Sequence, residues 1–372
     1  MCYRLVGRSY SAPIICHLTT RYSGPLGAAF SLPKSPRLRS AAPELNRTLK
    51  RGNKMYFLTH PLVNLALQHF DHLDIADGDN FFATFGPGNI IEGKNKPHER
   101  FDNYEELLRL SQQRDRQKYE QIHKGTPFFF LSWLAFDLRN YKKALYYLDA
   151  AISEDVKNAG GNWINLPGAQ FLKLNAEQHV AEQIMLIVKG ILEDEIERFN
   201  NISGLAPSTL SDFIDKFVAV LIQYPQTRTI VSEFYIFLLE KIEREIEFDL
   251  RSTEGISIGP IISHLFSGGL IFESLLKKTY PTKDNGSPVK VLGNVFYTTA
   301  FINDSTQGTQ TAAESLQEII DAINDDSFIT AFTATARLRN TTGHNLVWDN
   351  IFDTTTNFRV LYQQIVNATL CN

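Results

Sequence analysis

A short stretch near the C-terminal end, Arg339 to His344 (RNTTGH), combines two side chains whose chemistry suits reactions at phosphate. A guanidinium carries a permanent charge and planar donors that match an oxyanion. An imidazole titrates near neutral pH and can give or take a proton. The stretch follows the apolar segment FITAFTATARL, and Thr341 to Gly343 are poor residues for a helix interior. The pattern predicts that this Arg and His flank the C-terminal end of a helix.

The spacing of Arg339 and His344 is a weak signal by itself. A chain of this composition is expected to contain roughly one such pair by chance. A second match lies in the charged segment RDRQKYEQIHK (114–124), which is typical of a solvated helix face. An alternative interpretation makes the stretch structural: Arg339 would pair with Asp349 or Asp353, and His344 would cap a helix end.

The composition indicates a globular protein with room for two or three domains. The chain has 372 residues, of which 43% are hydrophobic and 21% charged. We find no run of about 18 apolar residues, the length a membrane helix needs, and expect a soluble protein that does not engage a membrane. The three cysteines form no CxxC motif, which favours a reducing compartment such as the cytoplasm.

The charge is unevenly distributed. Residues 1–54 hold 10 of the 37 basic residues and one of the 41 acidic residues; the remaining 27 and 40 give residues 55–372 a net charge of −13. A body this acidic does not hold nucleic acid by bulk charge, so any contact with RNA must be local. Residues 1–54 are interpreted as a basic extension, either upstream of a true start at Met55 or an organellar transit peptide.

The segment Thr126 to Asn158 predicts two amphipathic helices joined by a turn at Arg139–Asn140. It resembles one tetratricopeptide repeat, although Val156 replaces the proline of that family's pattern. The residues that carry this resemblance are Phe128, Ser132, Ala144, Leu148 and Ala151. An ordinary helical hairpin is the alternative. We expect residues 55–205 to form a helical sensing or interaction domain that contains this hairpin.

The remainder of the chain is also mainly helical in pattern. We interpret Gly160 to Leu174 as a loop and Ser208 as the N-cap of the helix that opens the C-terminal part. Helices are predicted from the apolar periodicity at about 176–199, 229–251, 260–280, 312–324, 327–340 and 352–370. The predicted fold class is therefore all-α, with an N-terminal helical region followed by a helical bundle.

In this setting, RNTTGH resembles the motif of the HEPN superfamily of helical ribonucleases and nucleotide-binding proteins. That motif is an Arg, often followed by Asn, with a His after four to six further residues; Arg339, Asn340 and His344 match it. The resemblance in helix pattern covers about the last 140–170 residues, and only the six motif residues are specific. It implies that residues 206–372 form a HEPN-like domain.

The resemblance also implies a chemistry. HEPN ribonucleases cut RNA without a metal: the ribose 2′-OH attacks the adjacent phosphate, leaving a cyclic phosphate and a 5′-OH. Arg339 would then bind the phosphate, and His344 would act as the acid–base group or the partner of the leaving oxygen. Asn340 would orient one of them or bind ribose. Asn345 and Trp348 would contact the substrate, with Trp348 stacking on a base or, alternatively, packing in the core.

The family assembles two such motifs at a dimer interface, so the resemblance implies a homodimer with RNA as partner and an antitoxin or activating ligand as further partners. The predicted function is a metal-independent endoribonuclease of the toxin or anti-phage defence type. The alternatives are a non-catalytic interaction scaffold and a nucleotide-binding regulatory protein. No cofactor or metal is expected, since HFDHLD (69–74) lacks the HExxH pattern of a zinc site.

Overall fold

The described part of the chain is built from α-helices. The computed structural model describes residues 61–85, 96–175, 179–250, 258–304, 316–323, 331–343 and 355–371, apart from the side chains of 79, 80, 83 and 179–181. Within these ranges there is no strand, and one isolated bridge joins Thr282 to Pro288. The predicted all-α fold class is confirmed.

The helices are numbered here in chain order, and the bounds fall into two groups. In the N-terminal part they are α1 Pro61–His72, α2 Gly78–Thr84, α3 Pro97–Arg114, α4 Arg116–Gln121, α5 Gly125–Asp137, α6 Tyr141–Asn158, α7 Pro167–Leu172 and α8 His179–Ser203. In the C-terminal part they are α9 Leu210–Phe213, α10 Ala219–Leu221, α11 Pro225–Asp249, α12 Gly259–Thr279, α13 Leu292–Val295, α14 Thr299–Asp304, α15 Leu316–Asp321, α16 Ala331–Thr342 and α17 Thr355–Cys371.

The predicted hairpin is present as α5 and α6. Arg139 takes the left-handed conformation at the turn (φ 54°), and the Asn140 side chain accepts a hydrogen bond from Lys143 N at 3.2 Å as the N-cap of α6. Ser132, Ala144 and Ala151 are buried between the helices, which allows the backbones to approach closely. The resemblance to a tetratricopeptide repeat stays a prediction.

Two local expectations were wrong. The segment expected to be a loop after α6 contains a 3₁₀ helix, Gly160–Asn165, and helix α7. The N-cap of α9 is Thr209 and not Ser208, because the Thr209 side chain accepts from Asp212 N and Asp212 bonds back to Thr209 N. A π-helical turn, Ile214–Val218, joins α9 to α10.

Helix α12 is the centre of the C-terminal part and packs on α11, α16 and α17. A Cβ at Gly268 would lie 2.6 Å from the Phe237 ring and 2.9 Å from Ile365, so glycine is what allows these helices to approach. Of the helices described, α12 is long and apolar enough to span a membrane by length and composition alone. In the protein 61% of that segment is buried, as in the core helix of a globular fold.

Side chains from both sequence halves meet in one hydrophobic core that extends from Val63 to Val366. The predicted domain boundary near residue 205 falls just after the end of α8, where Gly204 has φ +66°. Across this boundary the fully buried Arg228 on α11 pairs with Asp149 on α6 and donates to Ser153 Oγ. A second, smaller cluster of buried side chains lies between α12, α13, α14 and α16.

Candidate functional site

Helix α16 positions the start of the candidate motif. Its apolar residues divide between the two cores, with Leu338 in the larger and Phe332 in the smaller, so the helix is fixed on two sides. Arg339 then lies against α12: a Cβ at Gly269 would be 2.6 Å from the Arg339 Cβ. A glycine at this crossing lets the backbone of α12 reach the arginine.

The Arg339 guanidinium forms an ion pair with a carboxylate on α12. Its Nε lies 2.5 Å from Glu273 Oε2, and its Nη1 donates to Asn340 Oδ1 at 3.2 Å. Glu273 Oε1 also pairs with Lys277, one turn further along α12. The carboxylate is 6% exposed, whereas the Arg339 and Lys277 side chains are 27% and 31% exposed. Two part-exposed cations therefore share one buried anion, which leaves the group with a net charge of +1.

The end of α16 is stabilised by local hydrogen bonds. Thr342 Oγ1 donates to Leu338 O at 2.7 Å, and Gly343 N donates to Arg339 O at 3.1 Å. Thr341 and Thr342 are buried, so tertiary packing overrides the low helix propensity of these threonines. The prediction that a helix ends at this stretch is confirmed, with Thr342 as its last residue.

The structure brings together only some of the predicted site residues. Arg339 and Asn340 are adjacent and hydrogen-bonded. His344, Asn345 and Trp348 lie outside the described residues.

The observed partner of Arg339 was not anticipated from sequence. The aspartates considered as its partners, Asp349 and Asp353, fall outside the described ranges, and the carboxylate that pairs with Arg339 within them is Glu273. The i and i+4 spacing of Glu273 and Lys277 on one helix face predicts that pair, but it gives no signal for Arg339.

Away from Arg339, the buried His264 on α12 packs against α11. His264 stacks on Phe237, with ring centroids 4.4 Å apart, and its Nδ1 lies 3.3 Å from Glu240 Oε2. Burial lowers the pKa of His264 below its usual 6.5. The contact with Glu240 raises this pKa, but the effect of burial is larger. Burial acts to raise the pKa of Glu240, but the bond with His264 and nearby Lys142 and Arg244 bring it below its usual value.

Two side chains of the segment HFDHLD (69–74), which could have supplied metal ligands, contact other groups. Asp71 accepts a bidentate pair from Arg114, and the His69 ring packs on Phe85. Among the residues that the structure describes, no group of three His, Cys, Asp or Glu side chains is arranged to hold a metal ion.

Comparison of the chain with family models, with curated proteins and with solved structures finds no match.

Proposed function

We propose that this protein is an endoribonuclease that cuts RNA without a metal ion and serves as a toxin or in anti-phage defence. The observation that carries the proposal is the state of Arg339. Its guanidinium is part-exposed at the end of a helix, is oriented by a buried carboxylate, and precedes His344 by five residues. The proposal includes a homodimer in which two copies of this segment line one cleft.

The contacts of Arg339 suit a phosphate-binding role. Arg339 Nε forms an ion pair with Glu273 without hydrogen-bond geometry, and Nη1 donates to Asn340 Oδ1. An arginine already oriented by its neighbours loses little conformational freedom when it binds an anion. Lys277 adds a second positive charge beside it, on a chain whose body is otherwise acidic.

The reaction needs proton transfer in addition to charge stabilisation. The ribose 2′-OH gives up its proton as its oxygen forms a bond to phosphorus, the bond to the 5′-oxygen breaks, and the leaving oxygen gains a proton. His344 serves either as the base that takes the 2′-OH proton or as the acid that gives a proton to the leaving oxygen, with water exchanging the other proton, because an imidazole can give or take a proton near neutral pH. Arg339 stabilises the charge that grows on the phosphate oxygens. Since the 2′-OH is the nucleophile, RNA is a substrate and DNA is not.

A non-catalytic role is the second candidate, and one observation favours it. Glu273 neutralises Arg339 in an ion pair that links α12 to α16, which is what a purely structural arginine would do. On this account the protein is an interaction scaffold or a nucleotide-binding regulator that uses the α5–α6 hairpin.

Cleavage by the purified protein separates the two candidates. A labelled RNA oligonucleotide and a DNA oligonucleotide of the same sequence are incubated with the protein in excess EDTA. We expect RNA fragments with cyclic-phosphate ends and intact DNA. Arg339→Ala and His344→Ala should each lower the rate by about 100-fold or more. Arg359→Ala is the matched control, since Arg359 also pairs with a glutamate on a neighbouring helix.

Circular dichroism and the oligomeric state of each variant establish that it is folded. If the folded Arg339→Ala and His344→Ala proteins cut RNA as fast as the wild type, the ribonuclease proposal is wrong. If the wild type cuts no RNA while it binds a nucleotide or a protein through the α5–α6 hairpin, the non-catalytic account replaces it.

A further inference from the structure

The chain between Glu273 and Asp304 differs in charge from the rest of the body. Residues 274–303 hold four lysines and one acidic residue, Asp284, whereas residues 55–372 together have a net charge of −13. The segment covers the last part of α12, the connection to α13, and most of α14. It is therefore a local positive region of the kind that an acidic protein needs to contact a polyanion.

The one acidic residue in this segment, Asp284, is hydrogen-bonded to the first residue of α14. Asp284 accepts hydrogen bonds from Thr299 N at 2.9 Å and from Thr299 Oγ1 at 2.8 Å, at the start of α14. Its negative charge is directed to the helix N-terminus, where the helix dipole stabilises it. Among the described residues, the Asp284 carboxylate therefore contacts Thr299 and forms no ion pair with a neighbouring lysine.

The connection that carries these lysines is an ordered hairpin-like loop. Lys283 N donates to Ser287 O at 2.8 Å, and Val289 N donates to Pro281 O at 2.9 Å. Gly286 closes the turn with φ +77°, a conformation that glycine adopts without strain. These backbone bonds fix the loop that carries Lys283 and Lys290, which lowers the backbone entropy lost on binding.

Three lysines of the segment lack acidic partners. Within the described ranges no carboxylate lies at ion-pair distance from Lys278, Lys283 or Lys290; Lys278 and Lys290 are exposed and Lys283 is half-buried. Elsewhere in the protein, by contrast, Lys143 and Lys216 each pair with an acid. Lys278 lies over the Tyr224 ring, 5.8 Å from its centroid, so a bound anion would displace no carboxylate of the described residues from these three lysines.

The positive segment begins at the candidate site. Lys277 and Arg339 bind the two oxygens of the same Glu273 carboxylate, so these cations are neighbours. From Lys277 the helix runs two residues to its end at Thr279, and four more residues reach Lys283. At 1.5 Å per helical residue and up to 3.5 Å per extended residue, the two lysine Cα atoms are no more than about 17 Å apart.

An exposed aromatic ring lies in the same segment. Tyr297 is 72% exposed, whereas the adjacent Phe296 is buried in the smaller core. No other ring in the described residues packs on Tyr297. A ring held at the surface by a buried neighbour offers a face on which a base can stack.

We propose that Lys278, Lys283, Lys290 and Tyr297 form a binding surface for single-stranded RNA that leads to Arg339; we call it the lysine surface. The lysines neutralise backbone phosphates, and Tyr297 stacks on a base. The inference rests on the proposed ribonuclease function for its choice of ligand. Exposed Val291 and Ile302 nearby make an anionic membrane the competing ligand, and RNA is favoured because the surface adjoins Arg339.

Binding is measured with a probe that the protein does not cut. Fluorescence anisotropy follows a labelled 12-nucleotide RNA that is 2′-O-methylated throughout, over a series of salt concentrations. Each lysine–phosphate contact contributes about 0.7 to the slope of log K against log salt for a single strand, so Lys283→Gln/Lys290→Gln should lower the slope by about 1.4. The matched control is Lys173→Gln/Lys189→Gln, which removes two lysines that line a cleft on α7 and α8. It should bind as the wild type does.

The role of Tyr297 is measured in the same assay. Tyr297→Ala should weaken binding about 5-fold or more at constant salt, with the slope unchanged. Tyr146→Ala is its control, because Tyr146 is similarly exposed, at 67%, and lies on α6. Vesicles of anionic phospholipid, at the same salt, test the competing ligand.

The results separate this inference from the ribonuclease proposal. If the lysine variant binds RNA with the wild-type affinity and slope, or if only the anionic vesicles bind, the lysine surface is overturned, whatever the protein cuts. If RNA binds through the lysine surface but folded Arg339→Ala cuts RNA as the wild type does, the surface stands and the proposed catalytic site does not.

Discussion

Replacement of Glu273 by glutamine removes the one negative charge that Arg339 and Lys277 share. The side chain keeps its size, so the change tests charge and not packing. Two unit charges about 4 Å apart interact by about 4 kcal/mol at an effective dielectric constant of 20. Arg339 and Lys277 are 27% and 31% exposed, so solvent screens part of this interaction. We expect a coupling of about 1–2 kcal/mol between Glu273 and Arg339.

A double-mutant cycle measures this coupling. Glu273→Gln, Arg339→Gln and the double variant are unfolded in urea at pH 7 and followed by circular dichroism, and the non-additive part of the free energy of unfolding is the coupling. Arg359 and Glu245 form the control pair: Arg359 is 54% exposed, so their coupling should be below about 1 kcal/mol. A coupling near zero for Glu273 and Arg339 would refute the reasoning that the buried carboxylate orients this arginine.

Glu273→Gln also bears on activity. If Glu273 orients Arg339 for phosphate, Glu273→Gln should lower the rate of RNA cleavage because the guanidinium is no longer held. Cleavage by Glu273→Gln is compared with cleavage by the control Glu245→Gln, at a temperature where both variants are folded. An unchanged rate in Glu273→Gln would show that the ion pair is structural alone.

Three further perturbations test the fold that carries the site. Gly269→Ala should destabilise the protein by about 1–3 kcal/mol in urea unfolding, because the added methyl would lie 2.6 Å from the arginine Cβ on α16. Burial lowers the pKa of His264, so below the unfolded value of 6.5 the unfolded state binds the proton more readily. Stability should therefore fall as the pH drops from 6.5 towards the folded pKa, by up to about 1.4 kcal/mol per pH unit, and His264→Phe should lack this contribution. Thr209→Ala should cost about 1 kcal/mol in the same assay as a lost N-cap, whereas Ser208→Ala should change stability by a few tenths.

The periodicity of the sequence was sufficient to predict the fold class and the principal helices. The segments predicted at 229–251 and 260–280 correspond to α11, Pro225–Asp249, and α12, Gly259–Thr279. The α5–α6 hairpin was predicted from amphipathic periodicity on either side of a polar turn, and its small residues Ser132, Ala144 and Ala151 are buried. These elements are long and strongly periodic, so the local pattern and the tertiary fold agree.

Short elements and long-range pairs were harder to predict. Gly160 to Leu174 has glycine, asparagine and proline in a pattern typical of a loop, but packing stabilises a 3₁₀ turn and the short helix α7 there. The partner of Arg339 is Glu273, 66 residues earlier in the chain, and a single sequence carries no signal that joins them. The end of the helix before His344 was predicted at about residue 340 from local propensity, whereas packing of the buried Thr341 and Thr342 extends α16 to Thr342.

Expression of the protein in a bacterium, beside His344→Ala, tests the central claim most directly. Growth is followed after induction, both proteins are quantified, and total RNA from the two cultures is examined for cyclic-phosphate ends. We expect growth arrest and RNA fragments with these ends for the wild type alone. Equal growth and intact RNA in both cultures, together with no cleavage by the purified wild-type protein at high concentration, would contradict the ribonuclease account.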